Sequence, residues 1–397
     1  MNEIDLVRDL LDRPPPPSGA VRSRALTRLE EDMSGGRPRR LAFGPRFRLG
    51  LAGLVAAGAA AAVGVATLGD GAPAAPPRPR AVEMDARTVL LAAAQQAEKE
   101  PTGRYWRVQT VDGSAYHVGP AEGGYTVLGH SSHTDRWQAR SDGDRDVTYV
   151  RDLGARPLGP RDEAAWRKAG SPKTFKVVSG GEPSVLSTVP GRTTGAAPAS
   201  WTPEIVVTPA QKRTRNARWA KICAGPDERA KRLLVFKGGC REVPSDAELR
   251  KAAGDPGKLR RVLSPWLELD GVPKERDTSA LRLRRAARLL TSEALSPKVR
   301  AGVFRLLADE PGVRSIGRVK DPRGREGVAL VARGAPAEDG SVDDYRLILE
   351  PGTHRILAGV DVVVRPAEAD RGMRPGTLHG QRVVLSLGWT NETPRHP

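Results

Sequence analysis

The segment DARTVLLAAAQQAEKEPTGRYWRVQTVDGSAYHV, Asp85 to Val118, decides the fold class because its hydrophobic period changes within it. Val89 and Ala92 recur at helical spacing in the first half, and an aspartate stands where a helix cap is expected. A Pro-Thr-Gly stop follows at 101–103. From Tyr105 onward apolar and polar residues alternate, as they do in a half-buried strand. The segment therefore predicts a helix followed by a sheet.

The same alternation recurs in two groups of segments, one before and one after a helical region. Predicted strands cover 105–111, 114–118, 124–128, 134–141 and 146–151, and later 313–319, 327–332, 345–349, 354–364 and 381–387. Between these groups two helices are predicted at about 278–293 and 297–308, the second with Ser296 as its cap and Pro297 in its first turn. We therefore expect an α+β fold, with a large antiparallel sheet and helices on one face.

The middle of the chain, 155–244, is rich in Gly, Pro, Thr and basic residues, which favours short strands and long loops. A short helix is predicted from Ser245 through Ala253. Cys223 and Cys240, the only two cysteines, would close an 18-residue loop if they formed a disulfide. We expect that disulfide, and two free thiols are the alternative.

An apolar run from Leu49 to Leu68, closed by Gly69, is long enough to cross the roughly 30 Å hydrocarbon core of a bilayer as a helix. It predicts a transmembrane helix over 49–69. A cleaved signal peptide and a buried core helix are the alternatives, although 48 residues precede the run, which is long for a signal.

Positive charge on one side of this run sets the predicted orientation. Five arginines precede it, and an aspartate follows it directly: Arg37, Arg39, Arg40, Arg46, Arg48 and Asp70. Because positive flanks stay in the cytoplasm, 1–48 is expected inside and the bulk of the chain outside the cell membrane. A Pro-rich linker, 70–81, then leads to an extracytoplasmic domain, 82–397.

The tail 1–48 is predicted to form two short amphipathic helices, over 2–12 and 18–33, that cannot bury a core alone. Their apolar faces predict contact with a partner, through Ile4, Val7, Leu11, Val21, Ala25 and Leu29. A partly disordered anchor is the alternative for this tail.

The chain carries a net charge of +17, which often indicates a nucleic-acid partner. If the basic mass lies outside the cell, its acidic partners are instead lipid headgroups or anionic cell-wall polymers. We therefore expect a membrane and no direct nucleic-acid partner, and a solvated surface without a specific role is the plainer reading.

The usual catalytic motifs for acyl transfer, zinc hydrolysis, phosphate binding and dinucleotide binding are absent from the sequence. His130 and His133 stand three residues apart and could share a metal on a helix, but neighbouring strands and glycines favour a loop. We therefore expect no enzymatic activity, no cofactor and no metal.

Several segments resemble a family of uncharacterised actinobacterial single-pass membrane proteins, often encoded beside extracytoplasmic-function sigma factors. They are MNEIDLVRDLLDRPPP (1–16), PTGRYWRVQT (101–110), VPSDAELRKA (243–252), LSPKVRAGVFRLLADEPGVRSIGRVKDPRGREGVAL (295–330), YRLILEPGTHRIL (345–357) and GWTNETP (388–394). The resemblance implies a cytoplasmic tail and an outer sensor-like domain. More distantly, the order of elements is similar to half-open barrels of periplasmic lipoprotein carriers and sigma-factor regulators, in which helices such as 279–308 would plug an apolar cavity.

Two functions of different classes follow from these patterns. In the first, the tail binds a sigma factor and the outer domain reports envelope stress, although an H-x-x-x-C-x-x-C zinc motif is missing from the tail. In the second, the outer domain binds a lipid or lipoprotein chain at the membrane, and the tail is only an anchor. A structural envelope protein is a third reading.

Overall fold

The computed structural model describes residues 85–141, 143–193, 197–202, 205–225, 246–267 and 277–397, all within the unit Pro76–Pro397. The predicted tail, the predicted span 49–69, the predicted linker 70–81 and Cys240 lie outside the described residues. No helix in the described ranges combines the length and the apolar character needed to cross a membrane.

The described part of the chain is α+β, as the sequence predicts, with an antiparallel sheet and helices. Its helices are α1 (Ala86–Glu98), α2 (Pro160–Lys168), α3 (Pro209–Ala224), α4 (Asp246–Ala252), α5 (Pro256–Leu267), α6 (Ser279–Ser292) and α7 (Pro297–Ala308). A short 3₁₀ helix covers Glu368–Asp370.

The strands are β1 (Tyr105–Val118), β2 (Tyr125–Ala139), β3 (Asp146–Asp152), β4 (Arg156–Pro157), β5 (Thr174–Ser179), β6 (Glu182–Ser187), β7 (Ile205–Val207), β8 (Arg314–Lys320), β9 (Glu326–Arg333), β10 (Val342–Leu349), β11 (Ile356–Arg365) and β12 (Leu378–Thr390). Ten of the described strands form one sheet in the order β7-β3-β2-β1-β12-β11-β10-β9-β8, with β4 paired to β2. The two remaining strands, β5 and β6, form a hairpin. The first long strand therefore lies beside the last one, at the centre of the sheet.

The prediction of short strands between 105 and 141 is wrong. Where the alternation breaks at 112–113 and 129–133, the sequence suggests loops, but β1 and β2 each run through the break as one strand. A shift of register between Asp112 and Ser114 accommodates the extra residues as an irregularity in the pairing. The histidines of the 130–133 segment therefore lie on a strand and not in a loop.

Helices α2, α3 and α5 are not in the sequence-based prediction. The sequence TPAQ at the start of α3 is a capping box, in which the Thr208 hydroxyl accepts from the Gln211 amide at 3.2 Å. The Gln211 side chain in turn accepts from the Thr208 amide at 2.8 Å. This signal is readable in the sequence, but the Gly- and Pro-rich composition around it obscures the helix.

The main hydrophobic core lies between α1, α4 to α7 and one face of the sheet. Leu90, Leu283 and Val299 are fully buried there against the strand residues Leu330 and Leu347. A second cluster lies on the opposite face of the same strands, because neighbouring strand residues point to opposite sides. Strands β9 to β11 are consequently buried on both faces, and the helices pack against one of them.

Among the described residues one buried cation, Arg300 on α7, links four elements. Only 2% of this residue is exposed. Its Nε donates to Glu100 just after α1 at 3.1 Å, and its Nη1 donates to the Leu290 carbonyl in α6 at 2.5 Å. The guanidinium also lies 4.3 Å from the ring centroid of Trp106 in β1. Burial lowers the pKa of Arg300, so these contacts must compensate for lost hydration.

We expect Arg300→Ala to lower the free energy of unfolding by roughly 3–5 kcal/mol, since it breaks a buried ion pair and a buried hydrogen bond. Arg305→Ala on the same helix is the matched control. Its pair with Glu98 is partly exposed, at 34% and 46% of the two side chains, so its loss should cost less than about 1 kcal/mol. Denaturant unfolding followed by circular dichroism measures both, and equal costs would contradict the role given to Arg300.

Candidate binding site

A cavity of about 280 Å³ lies between α6 and the sheet. Its walls come from α6, from β1 and β2, and from the adjoining strands β10, β11 and β12. Charged and polar side chains line much of it: Asp112, Ser114, His130, Arg284, Arg288, Thr291, Tyr345, Asp361, Gln381 and Arg382. We call this cavity and these side chains the charged cleft.

Glycines make room for the charged cleft on the sheet side. A Cβ on Gly359 of β11 would stand 2.1 Å from the hydroxyl oxygen of Tyr345, and a Cβ on Gly380 of β12 would stand 3.1 Å from the Asp361 carboxylate. Register places Gly380 opposite Asp361, and Asp361 opposite Tyr345. The bare backbone at the glycines thus lets two large polar side chains fold over the sheet toward α6.

Two ion pairs hold the charged cleft together. Arg284 of α6 pairs with Asp361 of β11, and its guanidinium lies 5.4 Å from the ring centroid of Tyr345. Arg382 of β12 donates from Nε to Asp112 of β1 at 2.7 Å and from Nη1 to the Ser292 hydroxyl at 3.1 Å. The first pair therefore joins α6 to β11. The second joins β12 to β1 and, because Ser292 is the last residue of α6, also to the end of that helix.

Burial sets the protonation of Tyr345 and acts on Asp361. Desolvation raises the pKa of the Tyr345 hydroxyl well above its usual value, so this group is neutral near pH 7. Burial also raises the pKa of the Asp361 carboxyl, and the positive charge of the nearby Arg284 opposes that shift. The cleft therefore combines a neutral phenol with a carboxylate whose charge depends on its arginine.

A histidine–aspartate pair lies near this network. His379 Nδ1 is 2.7 Å from Asp343 Oδ2, and the hydrogen bond to Asp343 raises the pKa of His379. Asp361 and Asp370 act on His379 in the same direction through their charges. Protonation of this imidazole is therefore coupled to the acidic groups beside the cleft.

His130 adopts a strained backbone conformation at the wall of the cleft. Its φ of 46° lies in the left-handed region, which non-glycine residues rarely adopt. Its ring packs edge-on against Tyr116 with centroids 5.7 Å apart, and its Nε2 is buried without a hydrogen-bond partner in the described part of the chain. Strain and an unpaired polar atom of this kind are typical of functional positions.

The two histidines of the 130–133 segment lie in different surroundings: His130 lines the cleft and His133 does not. His133 packs 4.6 Å from the ring centroid of Trp201, away from the lining of the cleft, and burial lowers its pKa. In the described residues no group of three or more His, Cys, Asp and Glu side chains is arranged to hold a metal ion.

The site residues predicted from the sequence are not those of the charged cleft. All six predicted partner-binding residues, Ile4 to Leu29, lie outside the described residues. Cys223 in α3 is disulfide-bonded, but Cys240 lies outside the described residues, so the pairing stays a prediction. Among the cleft residues, local sequence patterns point to His130 alone, because the others come together only through strand register and the packing of α6.

The chain matches no family model, no curated protein and no solved structure in comparisons with all three. The resemblance to actinobacterial membrane proteins therefore stays a prediction.

We expect Gly359→Ala to destabilise the fold by about 1–3 kcal/mol, because the added methyl group collides with the Tyr345 hydroxyl. In a Tyr345→Phe background the cost should be smaller, since the colliding oxygen is gone. Gly388→Ala in β12 is the control: a Cβ there meets nothing within 4 Å, and its effect should stay within about 0.5 kcal/mol. Denaturant unfolding of the single and double variants decides the matter, and additive costs would show that the two positions do not interact.

The raised pKa of His379 predicts a pH-dependent stability. A group with a raised folded pKa stabilises fully below its unfolded value, here 6.5, and this contribution is lost as pH rises through the folded value. The free energy of unfolding should thus fall between pH 6.5 and the higher folded pKa, and His379→Gln should remove that fall. The exposed His396→Gln should keep it. If the free energy of unfolding fell by the same amount in the His379→Gln variant, another titrating group would be responsible for the pH dependence.

Proposed function

We propose that this chain is a single-pass membrane regulator, with an outer domain that senses a ligand and a cytoplasmic tail that binds a partner such as a sigma factor. The charged cleft is the observation that supports the sensing part. It is a polar cavity beside the apolar core, bounded by one helix and five strands. The tail and the span at 49–69 rest on the sequence patterns alone.

Binding suits the charged cleft better than catalysis. Its two acids are both held in ion pairs, and the Tyr345 hydroxyl is neutral because burial raises its pKa. An acid that is held in an ion pair is less available to take up or release a proton for a substrate. Fixed charges and preset hydrogen-bond donors instead favour recognition of a polar molecule.

Helix α6 gives the charged cleft a physical connection to the rest of the domain. It lines the cleft through Arg284, Arg288 and Thr291. On its other sides Arg285 donates to the Leu267 carbonyl of α5 at 2.6 Å, and its Leu290 carbonyl accepts from Arg300 of α7. A ligand that shifts α6 would therefore act on both neighbouring helices, as a sensor requires.

The lipid-binding alternative has less support. The apolar face of the sheet is covered by side chains of α1, α6 and α7, with Leu90, Leu283 and Val303 nearly or fully buried. The charged cleft itself is lined by three arginines and two aspartates, a poor environment for an acyl chain. A lipid would need a rearrangement of the helices that nothing in the described residues indicates.

Co-purification with the full chain from actinobacterial cells tests the proposed function. We expect a sigma factor to co-purify, and to be lost in an Ile4→Asp, Leu11→Asp, Leu29→Asp triple variant, because the charges disrupt an apolar helix face. Substitution of three polar tail positions, Glu3→Gln, Asp9→Asn and Glu31→Gln, is the control and should keep the partner. The absence of any specific partner would reduce the tail to an anchor and contradict the regulatory proposal.

A further inference from the structure

The acidic side chains of the charged cleft already have their hydrogen-bond partners. Asp112 accepts from Arg382 Nε at 2.7 Å through one oxygen and from the Thr110 hydroxyl at 2.9 Å through the other. Asp361 accepts from Arg284. A cationic ligand would have to displace an arginine from one of these carboxylates, and the displaced guanidinium would then lack its partner.

Hydrogen-bond donors, in contrast, remain available in the same cavity. The exposed Arg288 side chain makes no hydrogen bond or ion pair with any described residue. A guanidinium has five N–H groups, and Arg382 uses one from Nε and one from Nη1 in its contacts with Asp112 and Ser292. His130 also lines the cavity, and an imidazole carries at least one ring N–H donor.

The lining of the cavity carries a net positive charge, which favours the same kind of ligand as the free donors do. Three arginines face two aspartates, which leaves an excess of one positive charge. Because Arg284 and Arg382 are each neutralised by their aspartate, the excess resides on Arg288. Arg288 follows Arg284 by one helical turn on α6, so both guanidinium groups stand over the same side of the cavity.

We propose that the charged cleft binds a small oxyanion, a carboxylate or phosphate group carried by a small molecule, with Arg288 as its main charge partner. Arg382 and His130 then supply further hydrogen bonds from the sheet side. The cavity volume of about 280 Å³ is near the lower end for small-molecule sites, which indicates a compact ligand. This inference rests on the proposed sensing role of the same cavity and adds the chemical class of its ligand.

Titration calorimetry of the full chain in detergent, at constant ionic strength, tests the inference with citrate as the carboxylate probe and inorganic phosphate as the phosphate probe. We expect at least one of the two to bind, and the one that binds assigns the oxyanion. Choline and glucose serve as cationic and neutral probes, and neither should bind.

Variants then locate the site. Arg288→Met should weaken binding by about tenfold or more, as expected for the loss of one charge-assisted contact. This residue is exposed and lacks described partners, so the variant should fold normally. Arg318→Met on β8 removes the same charge from a side chain that is 74% exposed and outside the cleft, and should leave the affinity unchanged.

A spectroscopic readout checks the sheet side of the site. The ring signals of His130 in the NMR spectrum should shift when the bound probe is added, whereas those of the exposed His396 should not. Assignment by a His130→Asn variant is feasible because asparagine tolerates the left-handed backbone found here.

Two results would overturn the inference: neither citrate nor phosphate binds, or Arg288→Met and Arg318→Met weaken binding equally. Binding of choline or glucose instead would keep a ligand site but change its chemistry. The co-purification experiment on the tail is independent of these titrations. If a sigma factor co-purifies but no anion binds, the regulatory proposal is supported and only the inference of an oxyanion ligand is overturned.

Discussion

The burial of one guanidinium, that of Arg300, is the constraint on which the arrangement of helices depends. A buried cation is tolerated only where its partners replace water, and here they come from three other elements. Glu100 follows α1, the Leu290 carbonyl belongs to the last turns of α6, and Trp106 lies in β1. Trp106 in turn packs against Trp389 of β12, with ring centroids 5.5 Å apart. Movement of any of these elements would leave the charge uncompensated.

The position of α6 explains why a polar cavity exists inside an otherwise apolar packing. Its buried face, with Leu283 and Leu290, joins the main core, while Arg284 and Arg288 extend toward the central strands. Across from them the sheet offers glycine instead of a side chain at Gly359. A helix held by its apolar face, above a strip of bare backbone, leaves space that charged side chains then line.

Local signals predicted the regular helices of this chain well and its irregular strands poorly. Helix α7 begins where Ser296 and Pro297 indicate, and α6 occupies the span that its helical periodicity predicts. The breaks in alternation near 113 and 130 predicted loops, but pairing with neighbouring strands carries both strands through the irregularity. A sheet partner satisfies backbone groups on either side of such a break, and a single sequence does not reveal that partner.

The sequence by itself determined the α+β class, the helices α1, α6 and α7 with the strands that follow them, and the excess of positive charge, because each follows from periodicity, capping residues or composition. Only the tertiary structure decided that Asp112, Arg284, Asp361 and Arg382 share one cavity. These residues are separated by up to 270 positions, and strand order with register brings them together. Charged residues are common and scattered in this chain, so their pairing depends on long-range contacts that local patterns do not encode.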